Sequence, residues 1–163
     1  MIPVTILPAT IDNAETLSQI AIAAKAYWGY PPDYLEIWRQ VLTVTPEFIT
    51  QHLVYLAQVE TEIVGFYALI SAPPPQIVLE HLWVKPNYIR QGVGQQLFVH
   101  AMRTAAEVGA TAVEITADPH AEGFYQRMGA QRIGVMFSTL LGETRFLPLM
   151  LADDLTFYGE ADD

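Results

Sequence analysis

The sequence predicts an α/β domain built on a mixed sheet. Three observations predict it. Short β-rich runs alternate with amphipathic helical segments along the whole chain. The run Ile77–Val84 leads through a glycine-rich turn into an apolar helix and on to a second strand, and a crossover of that kind is right-handed and leaves its two strands parallel. Leu53–Val59 and Glu62–Ser71 are β-rich runs joined by a tight turn and read as a hairpin, which adds an antiparallel pair to the sheet.

In chain order, Val4–Leu7 alternates weakly and reads as a first strand. Asp12 or Asn13 caps a helix running to Tyr27, with Leu17, Ile20, Ala21 and Ala24 on one face. Gly29 stops it, and Pro31-Pro32-Asp33 opens a second helix through Leu42. Leu53–Val59 and Glu62–Ser71 form a hairpin. Pro73-Pro74-Pro75 forces a break that neither a helix nor a central strand tolerates.

Ile77–Val84 is apolar on both faces, as a covered central strand must be. Gly92–Val108 is the clearest helix: Val93, Leu97, Phe98, Ala101, Ala105 and Val108 keep the 3.6-residue period, and Gly109 caps it. Ala112–Ala117 is the next strand, Ala121–Met128 a short helix ended by Gly129, and Gln131–Ser138 and Arg145–Leu151 a closing pair of strands. Residues 1–152 read as a single domain and residues 153–163 as an acidic C-terminal tail.

Composition narrows the function. Hydrophobic residues make up 52% of 163 and charged residues 16%, which excludes disorder over most of the chain. No apolar run approaches the roughly 20 residues that span a bilayer, so no membrane partner is expected. The N-terminus lacks a basic region and reads as a strand, not a signal peptide. The absence of cysteine excludes disulfides, thiolate metal sites and a cysteine nucleophile, and fits a cytoplasmic protein. No side chains stand at metal-ligand spacing, so no metal is assigned. A net charge of −10 argues against nucleic acid; it either keeps the chain soluble or steers a cationic substrate.

The chemistry centres on Val78–Phe98. A strand here ends in a turn, followed by Gly92-Val93-Gly94 at the mouth of a helix. Such a turn aims consecutive backbone N–H groups outward, and the helix adds its positive dipole end. Together they make a cradle for a phosphate or pyrophosphate. The chain lacks the Lys-Ser/Thr of a P-loop and the third glycine of a dinucleotide site.

Three pieces in order, Leu82-Trp-Val-Lys-Pro86, Gly92-Val-Gly94 and Ala121-Glu-Gly-Phe-Tyr-Gln-Arg-Met-Gly129, resemble the GCN5-related N-acetyltransferase (GNAT) family. The resemblance is strong over residues 77–134. It implies a mostly antiparallel sheet with a central parallel pair and helices on both faces. It implies acetyl transfer from acetyl-CoA, as co-substrate, to a primary amine on a small molecule or peptide, by direct attack in a ternary complex. A CoA-binding sensor or partner-binding module of the same fold is the alternative.

The resemblance also assigns residues. The pyrophosphate would lie on the turn Arg90, Gln91, Gly92, Val93, Gly94 and Gln95, and the pantetheine arm against the backbone of Leu82, Trp83 and Val84, with the Val84 N–H meeting the oxyanion. Asp118 stands where the family often has Asn on the CoA arm, and a carboxylate can only accept. Ile89 stands where the glycine motif usually has Arg or Gln. Glu80 matches a frequent catalytic base, its burial expected to raise its pKa. Tyr125 matches the acid that protonates the leaving thiolate. His81, next in the strand, is read as a core histidine.

The acceptor site is expected from the first two helices and the last strands. Tyr27-Trp-Gly-Tyr-Pro-Pro-Asp-Tyr34 is dense in aromatics, and Arg145 offers a group for an acceptor carboxylate. Phe137, Leu140, Leu141 and Phe146 either pair across a homodimer or fill the core of the monomer.

Overall fold

A computed structural model describes residues 1–70 and 76–159. The Pro73–Pro75 break and the last acidic residues, Glu160, Asp162 and Asp163, lie outside the described residues.

Seven strands form one sheet in the order β1-β2-β3-β4-β5-β7-β6. They are β1 (Thr5–Pro8), β2 (Leu53–Val59), β3 (Glu62–Ile70), β4 (Gln76–Val84), β5 (Ala112–Thr116), β6 (Gln131–Leu140) and β7 (Glu143–Ala152). Every neighbouring pair is antiparallel except β4 and β5, which are parallel. The helices are α1 (Ala14–Tyr27), α2 (Pro32–Leu42), α3 (Pro46–Gln51), α4 (Val93–Glu107) and α5 (Glu122–Arg127). This is the mixed, mostly antiparallel sheet expected from the sequence. None of the described helices is long and apolar enough to cross a membrane.

The helices cover both faces. On one, Leu97, Phe98, Ala101 and Met102 of α4 pack with Tyr67, Leu69 and Leu79 of the sheet and Tyr125 of α5. On the other, Leu17, Ile20 and Ala21 of α1 and Ile49 of α3 pack on Leu56, Phe66 and Ala68. Helix α3 was not foreseen, although its start has a chemical signature: Pro46 occupies the first turn and the Thr45 hydroxyl accepts from the Phe48 N–H at 3.1 Å.

Residues 153–159 hold a single 3-10 turn, Leu155–Tyr158, whose Leu155 and Tyr158 are buried against α4 and whose Tyr158 hydroxyl donates to the Met128 carbonyl at 2.8 Å. The apolar Leu155 and Tyr158 tie this segment to the core despite its acidic neighbours. At the other end of the sheet, Leu140 is buried, whereas Phe137, Leu141 and Phe146 are exposed and do not fill the core.

The decisive feature is a bulge in β4. Ala68 of β3 pairs with His81 and Leu69 with Leu79, so Glu80 has no partner on β3. A bulge bends its strand and swaps the facing of the residues beyond it. Accordingly Leu79 packs in the α4 core, while His81 turns to the α1 side beside Phe66 and Phe48. Beyond the bend β4 leaves β5: the two pair only over Gln76–Val78 and Ala112–Glu114, and the end of β5 pairs with β7 alone.

Candidate functional site

The gap between the diverging ends of β4 and β5 is where the sequence motifs meet. Lys85 N–H donates to the Val64 carbonyl at 2.8 Å, which fixes the alternation of bonds along β3 and β4. Trp83 therefore bonds toward β3, and the N–H and C=O groups of Leu82 and Val84 face the gap. They form an open strand edge, a template for an extended polar arm.

The mouth of α4 stands at the end of this edge. Arg90 and Gly92 have positive φ, 65° and 85°, and the first bond of the helix runs from Gln96 N–H to the Gly92 carbonyl. The N–H groups of Val93, Gly94 and Gln95 thus lack helical partners. The Val93 side chain is buried, so Val93 offers only its backbone, whereas the Arg90, Gln91 and Gln95 side chains are exposed. A Cβ on Gly94 would touch the Phe124 ring at 3.6 Å and Val84 at 3.7 Å. That contact brings together the end of β4, the start of α4 and α5.

Tyr125 is buried beside Phe98 and Phe124, with ring centroids 5.8 and 5.3 Å away. Burial and, after it, the charge of Asp118 push its phenol well above the usual tyrosine range. Glu80 departs from expectation. It is exposed rather than buried, because the bulge carries it out of the ladder. His81 is buried, and its Nδ1 accepts from the Trp83 indole N–H at 3.0 Å. Desolvation lowers its pKa to about 4, so it is neutral at pH 7.

Asp118, expected beside the CoA arm, has both carboxylate oxygens occupied by protein donors. Oδ2 accepts from Lys25 Nζ at 2.6 Å and from the Tyr30 hydroxyl at 2.7 Å. Oδ1 accepts from the His120 N–H at 2.9 Å and lies 2.8 Å from His120 Nδ1. Burial alone would raise the Asp118 carboxyl, but Lys25, His120 and Tyr30 outweigh it and hold it at about 2. Lys25 is itself desolvated, which lowers its pKa in spite of Asp118.

Around this pair stands a cluster that sequence reasoning only partly assembled. Lys25 Nζ lies 4.3 Å from the Trp38 ring centroid and 4.9 Å from that of Tyr30. The Arg145 guanidinium lies 4.8 and 5.3 Å from the same two rings. His120 stacks on Trp28 at 4.9 Å, and Tyr34 donates to Glu143 at 2.8 Å. Tyr30, Tyr34 and Trp28 come from the aromatic run noted in the sequence. Lys25, Trp38 and His120 were missed, since nothing in a linear reading ties α1 to the loop after β5. No group of three or more His, Cys, Asp or Glu side chains among the described residues is placed to hold a metal ion.

Comparison with known proteins agrees with this fold. The family model described as "Acetyltransferase (GNAT) family" matches residues 17–130. An uncharacterised N-acetyltransferase of Bacillus subtilis, YvbK, is 27% identical over 89 residues; the match spans 53% of this chain and 57% of that one. Among solved structures, a GCN5-related N-acetyltransferase from Rhodopseudomonas palustris superposes with a TM-score of 0.78 at 20% identity, covering 94% of this chain and 97% of that one. The PaiA N-acetyltransferase of Thermoplasma acidophilum, solved in complex with coenzyme A, gives 0.72 at 21% identity, covering 93% and 99%.

Proposed function

The chain belongs to the GNAT acetyltransferase family, and from that premise we propose that it moves an acetyl group from acetyl-CoA to a primary amine on a small molecule or peptide, by direct attack while both are bound. The observation that carries this reading is the open β4 edge running from Glu80 to the mouth of α4. An anion cradle, a strand edge and a phenol meet there, which is what a long, polar, pyrophosphate-bearing thioester requires.

In this reading the amides from Gln91 to Gln95 hold the pyrophosphate, and Arg90 supplies a flanking positive charge. The open edge at Leu82 and Val84, on either side of Trp83, aligns the pantetheine arm, and the Val84 N–H faces the oxygen that gains charge as the amine adds. Glu80, projecting from the bulge, takes the proton of the acceptor ammonium directly or through a water. Tyr125, which burial keeps protonated, gives its proton to the departing sulfur. Asp118 acts on the acceptor side rather than on the arm.

Calorimetric titration with CoA, with ATP and NAD as competitors, tests the cofactor half of the reading. CoA should bind and neither nucleotide should displace it at equal concentration. Displacement by either would assign the cradle to another phosphate ligand.

A further inference from the structure

In the aromatic cluster beside Asp118 the two cations Lys25 and Arg145 share one buried carboxylate, Asp118, while the second carboxylate, Glu143, is exposed. Lys25 and Arg145 share the Tyr30 and Trp38 rings. The buried Asp118 carboxylate is committed to Lys25. Arg145 is half-buried, and its guanidinium donates to the neutral Tyr30 hydroxyl at 3.1 Å. No carboxylate among the described residues lies within 4.0 Å of it. The nearby Glu143 is exposed and accepts from Tyr34 instead.

A partly desolvated cation next to a second one is costly unless something compensates it. Among the described residues one buried carboxylate, Asp118, stands against the two cations, and it is paired with Lys25 rather than Arg145. The cluster adjoins the gap, because Asp118 stands just after β5, at the end of that strand where it no longer pairs with β4.

We infer that the acceptor amine also carries a carboxylate, and that Arg145, lying on the Tyr30 and Trp38 rings, binds it. This rests on the acetyl-transfer reading and narrows its substrate class to amino acids and related amino carboxylates. The planar guanidinium matches a carboxylate in a two-point fork, and the rings beneath it fix its plane. Tyr30 and the Lys25–Asp118 pair are positioning groups that hold the fork toward the gap.

The probes are N-acetyl amino acids, which resemble the product, and their carboxamides, which lack only the charge. Binding is followed by tryptophan fluorescence and calorimetry on the full chain, with CoA affinity and melting temperature measured in parallel. Wild type should bind the acids about tenfold or more tightly than the amides, as expected for a charge-assisted pair. Arg145→Gln should erase that preference and leave CoA affinity and folding unchanged, and Arg145→Lys should restore part of it. Equal binding of acids and amides by wild type, a preference that survives in Arg145→Gln, or no binding of either class overturns the inference. Because the probes need no turnover, such a failure is distinct from a failure of acetyl transfer, which CoA titration and thiol release report separately.

Discussion

Leu79 and His81 stand two positions apart on one strand yet face opposite sides of the sheet: Leu79 lies in the α4 core and His81 packs near Phe48 and Phe66. The unpaired Glu80 between them is the cause. The same bulge bends β4 away from β5 and opens the gap on which the proposed chemistry depends.

Replacing the proposed base should separate turnover from binding. Glu80→Gln should lower kcat about 10²–10⁴-fold with little change in CoA affinity, since Glu80 is exposed and outside both cores. Steady-state kinetics beside calorimetry checks this, and full turnover in the variant would remove Glu80 from the mechanism.

Tyr125→Phe should slow turnover over a similar range of about 10²–10⁴, keeping its ring packed on Phe98 and Phe124. A donor role predicts that the loss shrinks for acyl donors whose leaving thiol is more acidic. A Brønsted series of thioesters, read by initial rates, makes the test; a wild-type-like slope in the variant would contradict it.

His81 gives a pH dependence with a defined sign. Its folded pKa, about 4, lies below the unfolded value of 6.5. Between these values the unfolded chain binds more protons, so stability is present above pH 6.5 and lost as pH falls toward 4, by up to about 3 kcal/mol. Urea titrations of wild type and His81→Gln at pH 7.5 and pH 5 should show a steeper loss in the wild type. The glutamine carbonyl can still accept from Trp83.

The two glycines of the cradle should differ. Gly94 has room for a methyl group, whereas Gly92 has φ +85° and Met1 side-chain atoms crowd its Cβ position. Gly94→Ala should fold as wild type does, and Gly92→Ala should lose about 1 kcal/mol or more together with CoA affinity. Thermal melts with and without CoA would show the contrast.

Lys25→Met should destabilise the fold by about 3–5 kcal/mol, because it leaves Asp118 buried as an unpaired charge. The double variant Lys25→Met, Asp118→Asn should recover much of that loss. If the two substitutions simply add, the pair is not coupled.

Much of this architecture was legible in the sequence because its signals are local. The period of Val93 to Ala105, the glycines at 92 and 94 and the Phe124-Tyr125 pair each placed an element within a residue or two. The exposure of Glu80 was not legible: a bulge depends on the register with β3, which no pattern within β4 encodes. The Lys25–Asp118 pair escaped for a similar reason, its partners lying 93 residues apart. The turn at Leu155–Tyr158 was hidden by acidic neighbours that outweighed two apolar side chains in a reading by composition.

Acetyl transfer at the β4–β5 gap is the central claim. Its most direct measurement is thiol release from acetyl-CoA over a panel of amino carboxylates and simple amines, with the mass of each acceptor followed in the same reactions. Stoichiometric CoA release and a gain of one acetyl group on an amine are expected, both strongly reduced in Glu80→Gln and Tyr125→Phe. Tight CoA binding with no thiol release and no acetylated amine across the panel would contradict the claim, and would mark the chain as a CoA-binding sensor of the same fold.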